Sequence, residues 1–468
     1  MNTLANARPN IVLIVADDTG YGDPTCYNTD SATPTPHIDR LAAEGVRFTD
    51  AHSPNALCTP SRYGLLTGRY AWRAPRGDSL VMPYEPPLIE PGRLTIASML
   101  RGQGYRTGCI GKWHLGLLYG RRGGGFTQTE NEVDFSAPLE GGPLALGFDS
   151  FFGTAGCCTS DPPYCFIRDD RFVAVPSVRS TGDLHALPGF LPGLMTEGWK
   201  AEDVDPTFVR EAGRFLDAPS GAGRREPFFL YLALSAPHNP WLPPDFVKGK
   251  SAEGPRGDMN ALVDWCVGQV RAALEERGLL DRTLLIFASD HGPMPGQNGQ
   301  RSAGTLRGFK NTAFEGGHRI PFVARWPSGI PAGTVSSQLL CHTDLVATFA
   351  ALTGCSLPAD AAEDSHNMLP AFLGRGIGDP RRAALVTDTG RQGPAGGDVA
   401  VRAGKWKLII MAPRDDDPPG WVPMRYLFDL QNDPGEQDNL IDQRPSVARE
   451  IEHLLVKLRA RGSRWVRE

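Results

Sequence analysis

Cys58-Thr59-Pro60-Ser61-Arg62 places a sulfur nucleophile four positions ahead of a guanidinium. Pro60 suits the first turn of a helix, so Cys58 is expected at the N-terminus of a helix running toward Leu66. Unpaired backbone N–H groups and the helix dipole make that end attract anions and favour a thiolate. Arg62 brings a planar fork that suits a tetrahedral oxyanion. The pattern is that of a nucleophile beside an anion pocket.

Further reactive side chains follow apolar runs that read as buried strands: Asn10–Ala16, Tyr105–Ile110, Pro227–Leu234, Thr283–Ser289 and Ile320–Trp326. Asp17 and Asp18 follow the first, with Gly20 and Asp23 beyond, and Asp290 and His291 follow the fourth. Lys112 and His114 follow the second and share one side if the chain stays extended, and His238 follows the third. Ligands in open α/β sheets bind outside the carboxyl ends of the strands, so four strands deliver carboxylates, imidazoles and an ammonium to one edge. Each has an ordinary reading alone: a capped turn for the Asp17–Asp18 pair, a structural role for His238, an exposed strand end for Lys112 and His114. Adjacent carboxylates repel, however, and a hard divalent cation with oxygen ligands relieves that. A thiolate is a poor partner for such a cation, so cysteine is not expected to be the final chemical group at position 58.

Amphipathic segments separate the strands. Pro36–Gly45 starts on proline and stops at glycine, and Asp258–Gly278 lines up Met259, Leu262, Val263, Cys266, Val270 and Leu274 on one face. Apolar strands alternating with amphipathic helices predict an α/β fold with a mainly parallel sheet covered on both sides. After Gly376, Val401–Ile410 and Arg425–Leu430 read as short strands, with turn-rich Asp415–Gly420 and Asn432–Gly435. A helix over Ser446–Arg459 closes the chain, so residues 376–468 are expected to form a small α+β unit packed on a catalytic unit of residues 1–375. Arg121–Gly147 and Ser177–Leu194 are rich in Gly and Pro without clear periodicity, as long functional loops are.

Composition excludes several classes. Forty-eight basic against 53 acidic residues leave a net charge of −5 over 468 residues, with no basic footprint for nucleic acid. No apolar run approaches the ~18 residues of a membrane span. No signal-peptide pattern opens the chain, so a cytoplasmic location is expected unless a leader has been removed. Nine cysteines in so long a chain argue against a disulfide scaffold. Cys157, Cys158 and Cys165 read as ordinary buried thiols, because no CxxC or paired histidine lies at ligand spacing.

The chain resembles the sulfatase family of the alkaline-phosphatase superfamily. The segments PNIVLIVADDTGYGD, TPHIDRLAAEGVRFTDAH, CTPSRYGLLTGRY, GKWHLG, SAPH, SDHG, KNTAFEGGHRIP and LFDLQNDPGEQDNL carry the likeness in order. The resemblance implies that a separate formylglycine-generating enzyme oxidises Cys58 to formylglycine, whose hydrate is the nucleophile and a hard ligand. It also implies a calcium ion held by Asp17, Asp18, Asp290 and residue 58. Arg62, Lys112 and His114 would stabilise the hydrate and the developing charge. Asp290 would activate the attack, His238 or Lys310 would protonate the leaving oxygen, and His114 would serve as base when sulfate is expelled. Many relatives have asparagine where this chain has His291, which is expected to ligate the metal, with a role behind the ligands as the alternative.

The implied activity is hydrolysis of an O-sulfate ester, with a carbohydrate sulfate as the expected substrate and aryl sulfates as surrogates. Phosphate or phosphonate ester hydrolysis is the alternative, and silent binding of a sulfated glycan is more distant. Loops around Tyr119–Gly142, Gly156–Arg171 and Asn239–Pro244 are expected to set specificity. Trp72, Trp241 and Tyr164 are candidates to stack on a ring, though packing is the plainer role for each.

Overall fold

The computed structural model describes residues 8–181, 184, 186–187, 189–217, 226–376, 382–390, 397–413 and 422–460. Ten strands form one sheet: β1 (Asn10–Ala16), β2 (Val46–Phe48), β3 (Arg106–Lys112), β4 (Ser150–Thr154), β5 (Ile167–Arg168), β6 (Arg171–Phe172), β7 (Phe228–Ala233), β8 (Thr283–Ser289), β9 (Phe322–Arg325) and β10 (Thr334–Ser336). Their order is β10-β2-β9-β8-β1-β7-β3-β4-β5-β6. The central run β8-β1-β7-β3-β4 is parallel, while β9, β5 and β6 pair antiparallel. β1 and β8 coincide with the predicted runs, since every residue in them is buried and an apolar run marks both ends.

Helices cover both faces. Ile11, Leu13 and Val15 of β1 pack with α2 (Cys58–Thr67), α3 (Ile96–Gly102) and α6 (Asp344–Thr353). Val12, Ile14 and Ala16 pack with α1 (Pro36–Ala43), α4 (Val204–Asp217) and α5 (Pro255–Glu276). The six apolar residues predicted to share a face of α5 are all buried there.

A separate four-stranded antiparallel sheet holds β11 (Leu385–Asp388), β12 (Val399–Ala403), β13 (Trp406–Ile410) and β14 (Arg425–Asp429). Val401, Leu408 and Leu427 pack under α7 (Pro445–Arg459) through Ala448, Ile451 and Leu455. Val401–Ile410 is thus not one strand but a hairpin. Ala403 pairs with Trp406, and the intervening turn uses Gly404 at φ +57°, a conformation glycine adopts without steric cost. Asp415–Gly420, and residues 182, 183, 185 and 188 of Ser177–Leu194, lie outside the described residues. Arg121–Gly147 folds as short ladders and turns. Among the described residues, no helix is long and apolar enough to cross a membrane.

Candidate active site

The four predicted strand ends meet at one edge, because β8, β1, β7 and β3 are parallel neighbours. The Asp290 N–H donates to the Ala16 carbonyl at 2.9 Å, extending the ladder one residue beyond β8. Asp17 donates its N–H to Ala236 O at 3.0 Å, and Asp18 leaves the strand at φ +71° with its N–H on Asp290 Oδ1 at 3.2 Å. Three carboxylates from two strands thereby converge.

Cys58 is the first residue of α2, which is buried along its whole length and has no side-chain cap at its N-terminus. The Cys58 sulfur lies 3.2 Å from His291 Nε2 and 3.7 Å from Asp17 Oδ1. Hydrogen bonding with the Cys157 thiol holds its pKa well below the ordinary range against the opposing effect of burial, with help from Lys112, Lys310 and His291. Arg62 reaches Asp290 Oδ2 at 2.9 Å and Asp17 Oδ1 at 3.7 Å. Lys112 Nζ pairs with Asp17 Oδ2, and Lys310 Nζ spans both Asp18 oxygens at 2.7 and 3.0 Å. Burial would raise the Asp17 carboxyl, yet Lys112 draws it well below the usual range. Burial lifts Asp290 to about 6, with Asp17 adding repulsion against the pull of His291 and Arg62. Burial thus outweighs the cations beside Asp290, and a metal ion there would favour its carboxylate.

The imidazoles are oriented by backbone carbonyls. A carbonyl only accepts, so the ring nitrogen facing it carries the proton. His291 Nδ1 donates to Gly292 O at 2.8 Å, leaving Nε2 toward Cys58, Asp18 (3.4 Å) and Asp290 (3.7 Å). Burial opposes its charge, but Asp290 and Cys58 raise His291 to about 9. His238 Nδ1 donates to Asn239 O at 2.6 Å. Burial and Lys310 push the His238 pKa down, but Asp17 and Asp18 carry it above the ordinary imidazole value. His114 Nε2 donates to Val81 O at 3.1 Å, and burial next to Lys112 lowers its pKa.

Lys112 and His114 share the site, but not by alternation. β3 ends at Lys112, Trp113 turns into the core, and His114 adopts φ +54°. Gly111 permits the approach, since a Cβ there would sit 1.8 Å from the Ala233 carbonyl of β7. Asp17, Asp18, Cys58, Arg62, Lys112, His114, His238, Asp290, His291 and Lys310 thus lie together at this edge.

Cys157 was expected to be an ordinary buried thiol, and it is a buried free thiol that also stands among the site's imidazoles. Its sulfur lies 3.7 Å from His114 Nδ1 and 3.8 Å from His238 Nε2, beside Cys58. The rule of inspecting strand ends applies to it too, since it follows β4; five residues with a glycine (Ser150–Thr154) are too short to stand out. Cys158 and Cys165 are buried free thiols, as expected. Asp205 also escapes the sequence pattern. Its carboxylate accepts the N–H groups of Ser235 (2.8 Å) and Ala236 (3.0 Å), fixing the segment that carries His238. Of the candidate stacking rings, Tyr164 is buried against Phe190, Trp72 stacks on Tyr70, and Trp241 is half-buried with its Nε1 on Pro237 O.

A nucleophile at a helix N-terminus, faced by three carboxylates and ringed by Arg62, Lys112 and Lys310, defines a hydrolase of oxyanion esters. The chain belongs to the sulfatase family, whose members are sulfuric ester hydrolases: the family described as Sulfatase matches residues 9–355, and "N-sulphoglucosamine sulphohydrolase, C-terminal" matches 309–461. It is similar to an N-acetylgalactosamine-6-O-sulfatase of Bacteroides thetaiotaomicron, 33% identical over 97% of this chain and 94% of that protein. Human arylsulfatase A is 35% identical over 94% of this chain and 84% of its own. A solved sulfatase structure from work on glycosaminoglycan metabolism by Bacteroides thetaiotaomicron superposes with a TM-score of 0.82 at 32% identity, covering 97% of this chain and 100% of that one. Family membership is consistent with use of a metal and of formylglycine, and Asp17, Cys58, Asp290 and His291 form a cluster able to hold an ion.

Proposed function

We propose that this chain hydrolyses the sulfate ester of a sulfated glycan through residue 58, matured from cysteine to formylglycine, beside one calcium ion. The observation that carries it is Cys58 at an uncapped helix N-terminus, with Asp17 and Asp290 on one side and His291 at 3.2 Å. The glycan assignment is supported by the N-acetylgalactosamine-6-O-sulfatase relative, which covers nearly the whole chain. The division at residue 375/376 belongs to the same reading, supported by the separate apolar cluster under α7.

The donor set fits calcium, since Asp17, Asp18 and Asp290 supply hard oxygens and His291 Nε2 faces the same point. Calcium would supply Lewis-acid polarisation of a sulfate oxygen, and formylglycine would supply the attacking hydroxyl. The chain's own residues do the rest. Arg62 and Lys112 present fixed positive charge to the developing oxyanion. Asp290 stands as the base for the attack. His238, with Nδ1–H held by Asn239 and its pKa raised, has Nε2 to give a proton to the leaving oxygen. Lys310 is tied to Asp18, which holds its proton more tightly and makes it the poorer acid. His114, with Nε2–H on Val81 O and its pKa lowered, offers Nδ1 as the base for sulfate release.

The test pairs the mass of the peptide containing residue 58 with turnover of aryl sulfate against aryl phosphate and phosphonate. An aldehyde or its hydrate at position 58 and preference for sulfate are expected. Unmodified cysteine after co-expression with the maturation enzyme, or preference for phosphorus by orders of magnitude, would overturn the reading.

A further inference from the structure

A group of soft donors borders the carboxylates, with His238 within reach of both. Cys157 Sγ stands 3.7 Å from His114 Nδ1 and 3.8 Å from His238 Nε2. The donor atoms of His114, Cys157 and Asp161 all fall within 4.8 Å of one another, with the Asp161 carboxylate nearest the Nε2 edge of the His114 ring at 3.9 Å. Both imidazoles give their far N–H to a backbone carbonyl, Val81 O at 3.1 Å and Asn239 O at 2.6 Å. Each therefore turns a lone pair toward one buried sulfur. The Asp161 carboxylate is anchored by accepting the Cys157 N–H at 3.0 Å.

We propose that Cys157, His114 and His238, with Asp161 beside them, form a binding site for a soft divalent cation of the zinc class that borders the carboxylate cluster. Tetrahedral zinc with Zn–S about 2.3 Å and Zn–N about 2.0 Å separates its sulfur and nitrogen ligands by roughly 3.5 Å, within a few tenths of both distances here. Histidines held through their far N–H by carbonyls are the usual support for such ligands. Sulfur and imidazole nitrogen are the donors a zinc-class cation prefers over a hard one, and His238 stands between them and the carboxylates, its donor atom also within reach of Asp17 and Asp18. Binding exchanges the Cys157 thiol proton, and the Nε2 proton of His238 where that ring is charged, for the metal, and both pass to solvent. Resting on the sulfatase reading, zinc here occupies the Nδ1 lone pair that His114 uses as a base and displaces the Nε2 proton that His238 gives to the leaving oxygen, so it inhibits.

Cobalt(II) added to calcium-loaded protein reports the site through its thiolate charge-transfer absorption, whatever the activity. The band is expected in the unmutated chain and in Cys58→Ser, and lost in Cys157→Ser. As a measurement without substitution, zinc should protect Cys157 from iodoacetamide labelling, since a metal-bound thiolate is withheld from the reagent, and leave Cys355 unchanged. No thiolate band, a band that follows Cys58 instead, or unprotected Cys157 overturns the proposal. A band that tracks Cys157 while zinc leaves hydrolysis untouched upholds the site and removes the two histidines from the catalytic reading.

Discussion

Two buried clusters of charge and imidazole differ in whether they are closed. The first surrounds Cys58. The second joins the main sheet to the four-stranded sheet, with His52, Glu315 and His318 also close enough to hold a metal. In that second cluster Lys407 of β13 already fills the centre, with Nζ 2.9 Å from Glu315, 2.8 Å from Glu436 and 3.0 Å from His318 Nε2. His318 Nδ1 meets His52 Nδ1 at 3.0 Å, and His52 Nε2 donates to Asp50 at 2.9 Å. Burial keeps both imidazoles below their ordinary pKa. Around Cys58 the positive charge is instead divided, Lys112 on Asp17, Lys310 on Asp18 and Arg62 on Asp290, and His114 Nδ1 and His238 Nε2 both face Cys157. One shared ammonium closes the second network, whereas the first leaves ring nitrogens and a thiol whose partners are not used up within it.

Cys58→Ala should separate the two most sharply. Sulfate-ester hydrolysis is expected to fall by roughly four orders of magnitude or more, with the thermal midpoint nearly unchanged. Lys407→Met should do the reverse: leaving Glu315 and Glu436 buried without their cation costs about 3–5 kcal/mol, read by urea unfolding, while kcat of the folded fraction holds. Equal losses of activity per folded molecule in both variants would erase the distinction.

His238→Ala is expected to slow hydrolysis about 10²–10⁴-fold for a sugar sulfate, and much less for an aryl sulfate whose leaving group needs little protonation. Equal losses on both substrates would remove it as the acid. The smallest effect concerns His291. Its pKa is raised from 6.5 to about 9, so its charge stabilises the cation-free protein fully below pH 6.5, and that stability is lost as pH rises through 9. A metal using Nε2 must expel this proton. Calorimetry at neutral pH should therefore show proton release on calcium binding, and tighter binding as pH rises through this window; His291→Asn should show neither.

Asp17, Asp18, Asp290 and His291 were legible because they follow fully buried parallel strands, where an apolar run stops at the sheet edge. Cys58 and Arg62 were legible from local helix chemistry. Cys157 was not, because its meaning depends on His114 and His238 arriving from other strands. The orientations of those rings depend on the Val81 and Asn239 carbonyls, which no residue type reveals. The Gly404 hairpin was missed because Val401–Ile410 is apolar on both sides of the turn.

The arrangement of strands also sets an order of events in time. Cys58 lies on a helix with no exposed residue, beneath the carboxylate that β8 delivers. β8 leaves the ribosome roughly 200 residues after Cys58, a delay of tens of seconds at ordinary rates of synthesis. Any enzyme that rewrites this side chain has that interval to reach it, before the last central strand closes the door.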